Sequence, residues 1–161
     1  MKQGTRIAIA VGVLLVVVAA VLGIEAVRRR STEPTLAPGS VPIVLEGKVV
    51  AGFSAADLEK LTKVSFIEPV ENKTQEGWLL RDVILLYVSE RKLKEDTVIR
   101  VSSSSEDKSA QLTWSEVAEP ANLVLFDLSN RGTLKLVSVL EKLDTRNEWV
   151  QDVDRIEIVK P

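Results

Sequence analysis

Residues 7–24, IAIAVGVLLVVVAAVLGI, are 18 consecutive apolar or glycine residues. As a helix this run is about 27 Å long at roughly 1.5 Å per residue, close to the hydrocarbon core of a bilayer at about 30 Å. Glu25 to Val27 extend it to the interface, and Arg28, Arg29 and Arg30 follow with stems long enough to snorkel. The sequence therefore predicts a single membrane anchor over residues 1–30, seated in the lipid bilayer through residues 7–27. A cleaved secretory signal is the alternative, but its apolar region is usually only about 7–15 residues long. Val21-Leu22-Gly23 is also a weak match to a small-x-small cleavage site. Lys2 and Arg6 on one flank face three arginines on the other, so the positive-inside rule is nearly balanced. We take the C-terminal domain as extracytoplasmic, with a cytoplasmic domain as the competing arrangement.

Residues 31–41, STEPTLAPGSV, hold two prolines and a glycine with no apolar period, and read as a spacer stiffened by proline. Extended, it reaches about 35 Å. Residues 42–161 then form one domain. Of the chain's 21 basic and 23 acidic residues, residues 1–30 hold five and one, which leaves the remainder at −6. An acidic domain with no basic stripe excludes nucleic acid as the expected partner. The chain has no cysteine and no histidine. That removes disulfides, thiolate-held metals, cysteine nucleophiles and every histidine-based triad or proton shuttle. It also removes a lipid attached through cysteine as the anchor.

Within the domain, Ile43, Leu45 and Val49 alternate with Val44, Glu46 and Lys48 as in a half-buried strand. Ser54 is a natural N-cap for a short helix carrying Asp57, Leu58 and Leu61. VSFIEPV (64–70) reads as a strand, Glu76-Gly77 as a turn, and Leu80, Val83, Ile84 and Tyr87 as one apolar face of a core helix. TVIRV (97–101), NLVLFDL (122–128), TLKLVSV (133–139) and RIEIV (155–159) read as strands, with a polar loop from Ser102 and a helical turn at Trp114 to Val117. About six short strands and three brief helices indicate an α+β domain, mostly β, without internal repeats.

The order of these elements carries a resemblance. A strand is followed by F-S-x-x-D-L, then G-x-x-L-R-D-V-I at Gly77 to Ile84, then a strand, a polar loop and W-x-E-V. The chain closes with L-K-L-V and W-V-x-D-V-D-R-I-E-I-V, at Leu134 to Val137 and Trp149 to Val159. Over residues 43–160 this resembles the molybdopterin-binding domain of the sulfite oxidase family, and implies that fold. Catalytic members of that family hold molybdenum through a cysteine thiolate placed before the G-x-x-L helix, and no cysteine exists here. Ser102 to Ser105 and Glu106-Asp107-Lys108 stand where the family commonly has Asp-Gly-Tyr. The family's catalytic arginines, cofactor-binding histidines and dimerising domain have no assignable counterparts. The resemblance implies a shortened, non-catalytic relative, with molybdopterin as the one cofactor it suggests.

Residues singled out for binding are Ser104 and Lys108, in a loop able to meet an anion or a pterin edge through hydroxyls and backbone N–H groups. Asn72 and Arg81 are added because the resemblance puts them beside the cofactor region. Each has a plainer reading: a solvated loop, a turn, a surface ion pair. Asn72-Lys73-Thr74 is also an N-glycosylation sequon, and Trp114 and Trp149 read as core or rim packing. No catalytic or metal-ligating residue is assigned. Three functions follow: a membrane-tethered binding or interaction module for a small organic ligand or protein partner, a molybdopterin-dependent oxidoreductase, or a structural subunit of a membrane complex. In the last, Gly12 and Ala19-Ala20 would let helices approach closely. The first is the preferred expectation.

Overall fold

A computed structural model describes residues 34–161. The anchor expected over residues 1–30, its orientation and the start of the linker lie outside the described residues. Among the described residues no helix is long and apolar enough to cross a membrane.

The expected α+β, mostly β class is observed. Nine strands take part: β1 (Val41–Leu45), β2 (Lys48–Phe53), β3 (Lys63–Glu68), β4 (Lys73–Leu79), β5 (Val98–Ser103), β6 (Lys108–Thr113), β7 (Leu125–Leu128), β8 (Leu134–Val137) and β9 (Arg155–Val159). Three short helices punctuate them: α1 (Ala55–Leu58), α2 (Leu80–Leu85) and α3 (Trp114–Ala118). The strands form a five-stranded sheet in the order β2-β1-β9-β5-β6 and a four-stranded sheet in the order β3-β4-β7-β8. Among the described residues only β1 and β9 pair in parallel.

Period-two patterning sets the register. Ala51, Ile43, Ile156, Val101 and Ala110 stand opposite one another across the five-stranded sheet, and Leu45, Ile158, Ile99 and Leu112 form the next row. A one-residue slip would turn both rows away from the core. They meet Trp78, Phe126 and Leu136 from the second sheet in one apolar cluster. Leu80, Val83 and Ile84 of α2 are fully buried in it, as their spacing predicted. Tyr87, beyond the helix end, stacks on Phe53 with ring centroids 6.2 Å apart.

Three local readings are corrected. The strand expected around residues 43–49 is a hairpin: Glu46 and Gly47, at φ 52° and 76°, form a two-residue turn between Leu45 and Lys48. Positive φ at both central residues is what a type I′ turn requires. Glu76-Gly77 is no turn but lies inside β4, where Gly77 pairs with Val64 on one side and Asp127 on the other. The polar loop from Ser102 is mostly ladder, because Ser102 and Ser103 pair with Ser109 and Lys108, leaving Ser104–Asp107 as the turn. These extra ladders raise the strand count to nine.

Candidate functional site

The four residues singled out from sequence fall in three separate places. Asn72 ends the β3–β4 turn at φ 55°, exposed. Its neighbour Glu68, only 2% exposed, accepts the backbone N–H groups of Val70 and Glu71, each at 2.7 Å, and so fixes that turn. Arg81 lies beyond the opposite end of β4, in the first turn of α2. Its guanidinium donates to the Ala118 carbonyl at 3.2 Å and pairs with Asp82 at 3.1 Å, tying α2 to the C-terminal end of α3. Ser104 and Lys108 share the β5–β6 hairpin of the other sheet. Ser104 donates its N–H to Asp154 at 2.8 Å and its hydroxyl to the same carboxylate, while Lys108 donates to the Asn147 carbonyl. Only this last pair is brought together, and both members are engaged in holding loops.

A groove of about 550 Å³ lies elsewhere, over the four-stranded sheet. Alternation places Gln75, Asp127 and Lys135 on the sheet face opposite Trp78, Phe126 and Leu136. Asp127 and Lys135 face each other directly across β7 and β8. Their ion pair spans 2.9 Å, with both side chains mostly shielded. The Lys135 ammonium also donates to Gln75 Oε1 at 2.8 Å and sits 4.9 Å from the centre of the Trp149 ring. Trp149 donates its indole N–H to the Leu143 carbonyl at 3.0 Å and packs with Leu125 and Val137 at the groove's base.

The walls come from turns. Arg131, in the β7–β8 turn, pairs with Asp152 at 2.9 Å, and Thr133 donates to the same carboxylate at 2.6 Å. Across the mouth, Glu71 accepts from Lys73 at 2.6 Å and from Arg146 at 3.3 Å. The hydrogen bond and charge of Lys73, with Arg146 beside it, hold the Glu71 carboxyl below the usual carboxylate range.

Sequence reading missed this groove, although a signal was present. LFDL and LKLV each place one charge in the middle of an apolar strand, and two such strands paired with the charges opposed make a shielded ion pair. Trp149 was noticed only as packing, and it is indeed 5% exposed. No known protein-family model matches the chain, and no curated protein matches it.

The residues present do not fit a molybdopterin with a thiolate-held metal. The chain has no cysteine, and among the described residues no group of three carboxylates, cysteines or histidines is placed to hold a metal ion. Asn72, Arg81 and the Ser104–Lys108 pair do not converge on one pocket. The groove's groups can bind by charge and hydrogen bonding. At one wall the Ser129 hydroxyl meets that of Thr133, which donates to Asp152, while the Asp127 carboxylate is taken up by Lys135.

Proposed function

We propose that the chain is a membrane-tethered, non-catalytic binding module, built on a sulfite oxidase-like scaffold and facing outward from the membrane. Its anchor is the apolar run at residues 7–24 with its flank to Val27. Its working part is the groove over the four-stranded sheet, where it takes a small organic ligand or a segment of a protein partner. The observation that carries this reading is the groove itself: convergent polar groups on a sheet face, with a tryptophan at the base. Such concave sites with a few placed polar groups are the usual form of small-ligand sites.

The test is elemental and small-molecule analysis of full-length protein extracted gently from its own host's membranes. We expect neither molybdenum, tungsten nor pterin at stoichiometric level. Metal together with pterin would overturn the reading and make the protein an oxidoreductase with unusual ligation.

A further inference from the structure

We infer that the groove over the four-stranded sheet binds a small anion bearing carboxylate or phosphate groups, and that Glu71 sits at its mouth as an internal competitor for the same cations. This rests on the binding-module reading above.

The charge arrangement comes first. Inside the groove the pairing is one to one, Lys135 with Asp127 and Arg131 with Asp152. At the mouth it is not: the single Glu71 carboxylate serves both Lys73 and Arg146. The groove's lining itself carries four cations, Lys73, Arg131, Lys135 and Arg146, against two carboxylates, Glu71 and Asp127, with Glu68 standing behind Lys73 and Asp152 behind Arg131. Glu71 stays ionised through the neutral range, because Lys73 and Arg146 hold its carboxyl down. Arg146 is 62% exposed and reaches Glu71 across a sequence separation of 75 residues. Exposed pairs of this kind contribute little to folding, so an incoming anion can replace Glu71 at low cost.

Gln75 is the second, independent observation. It is only 5% exposed and lines the groove. An ammonium can only donate, so the contact with Lys135 fixes Gln75 Oε1 as the end turned toward it. The amide nitrogen is therefore the other end, and it makes no hydrogen bond to any described residue. That nitrogen is not sealed off, since Trp78 Nε1 is the one buried side-chain polar atom without a partner among the described residues, and its two donors are open to an acceptor in the groove. The neighbouring charges favour an acceptor that is anionic. A carboxylate or phosphate can take both the amide donors and the cation at the mouth, which a neutral or cationic ligand cannot. The groove's volume of about 550 Å³ accommodates a molecule of several such groups.

The experiment is calorimetric titration of the full chain in detergent with citrate, inorganic phosphate and sorbitol, the last as a neutral control. We expect saturable binding of citrate, phosphate or both, weakened by added salt, and none of sorbitol. The stronger of the two anions identifies the headgroup chemistry. Glu71→Gln should tighten binding about fivefold, and Arg146→Gln and Gln75→Leu should weaken it by about tenfold. Glu71 and Arg146 are exposed, so their variants keep the fold, which circular dichroism checks. Absence of saturable anion binding overturns the inference. So does anion binding that none of the three variants alters, or binding of sorbitol alone. A failed titration without metal or pterin in the same preparation sinks only the anion assignment; metal with pterin sinks the module reading beneath it.

Discussion

At position 77 a side chain has nowhere to go. A Cβ there would lie 1.8 Å from the Phe126 carbonyl oxygen and 2.5 Å from its carbon, both backbone atoms of the neighbouring strand. Glycine lets β4 and β7 approach closely in the middle of the sheet that carries the groove. Gly47 is required for a different reason: its φ is 76°, yet nothing lies within 4 Å of the Cβ position. The two causes predict different costs. Gly47→Ala should lower stability by about 1–2 kcal/mol, the strain of one left-handed residue. Gly77→Ala should cost about 3 kcal/mol, at the upper end for overpacking, because backbone must move. Urea unfolding of the two variants tests the order, and a Gly47 variant as damaged as the Gly77 one would refute the close-approach account. The letter G at 77 was legible as a constraint but not as this constraint. A turn and a tight strand crossing both ask for glycine, and only the partner strand, some 50 residues away, separates them.

Helix starts are chemistry within four residues, and at Ser54 sequence and structure agree, whereas α2 starts straight out of β4 at Leu79 with no side-chain cap. Asp57 accepts the Ser54 N–H at 2.8 Å and its hydroxyl at 2.9 Å at the head of α1. At the head of α3 the Thr113 N–H donates to Glu116 at 2.7 Å, and the Thr113 hydroxyl accepts the Glu116 N–H at 3.3 Å. The backbone hydrogen bond from Ser54, then its hydroxyl, lower the Asp57 carboxyl. For Glu116 burial pushes upward and is the largest single effect, but Lys142 and Thr113 together outweigh it, so this carboxyl is lowered too. A carboxyl held down in the folded state stabilises above the unfolded-state value and loses that contribution as pH falls through the folded-state one. Stability should thus be level from neutral pH to about 5 and decline below about 4, where ordinary carboxylates titrate. Asp57→Asn with Glu116→Gln should reduce stability at pH 7 by about 1 kcal/mol per cap and flatten the decline. Denaturant unfolding at several pH values from 7 to 3 reads both effects. An unchanged acid slope in the double variant would assign the decline to other carboxylates. The Glu46-Gly47 hairpin, by contrast, was hidden. Glutamate carries no turn signal, and its positive φ follows from strand twist on both sides of a two-residue loop.

Over the whole molecule, legibility falls with the sequence distance of the partners. In the five-stranded sheet β1, β5 and β9 were readable because alternation is local, whereas β2 and β6 were hidden in what read as the end of a strand and a polar loop. The groove was not readable, since Glu71, Lys135 and Arg146 meet only after β3, β4, β7 and β8 have paired. This division also separates the two halves of the proposed function. Residues 34–161 form a compact unit of their own, with one large apolar cluster and a smaller one beneath the groove. If residues 1–30 serve only as a tether, a chain beginning at Pro34 keeps the fold and the groove and loses the membrane. We expect that chain to be water-soluble, with far-UV circular dichroism of a β-rich domain and the same citrate or phosphate affinity as the full chain within about twofold, a difference of under roughly 0.5 kcal/mol. The full chain should remain with vesicles through an alkaline carbonate wash that strips peripheral proteins. Vesicle retention of the shortened chain would place membrane affinity in the domain itself. Loss of anion affinity on shortening, with the fold intact, would mean that residues before Pro34 help to build the site, and the tether would then be part of the binding machinery.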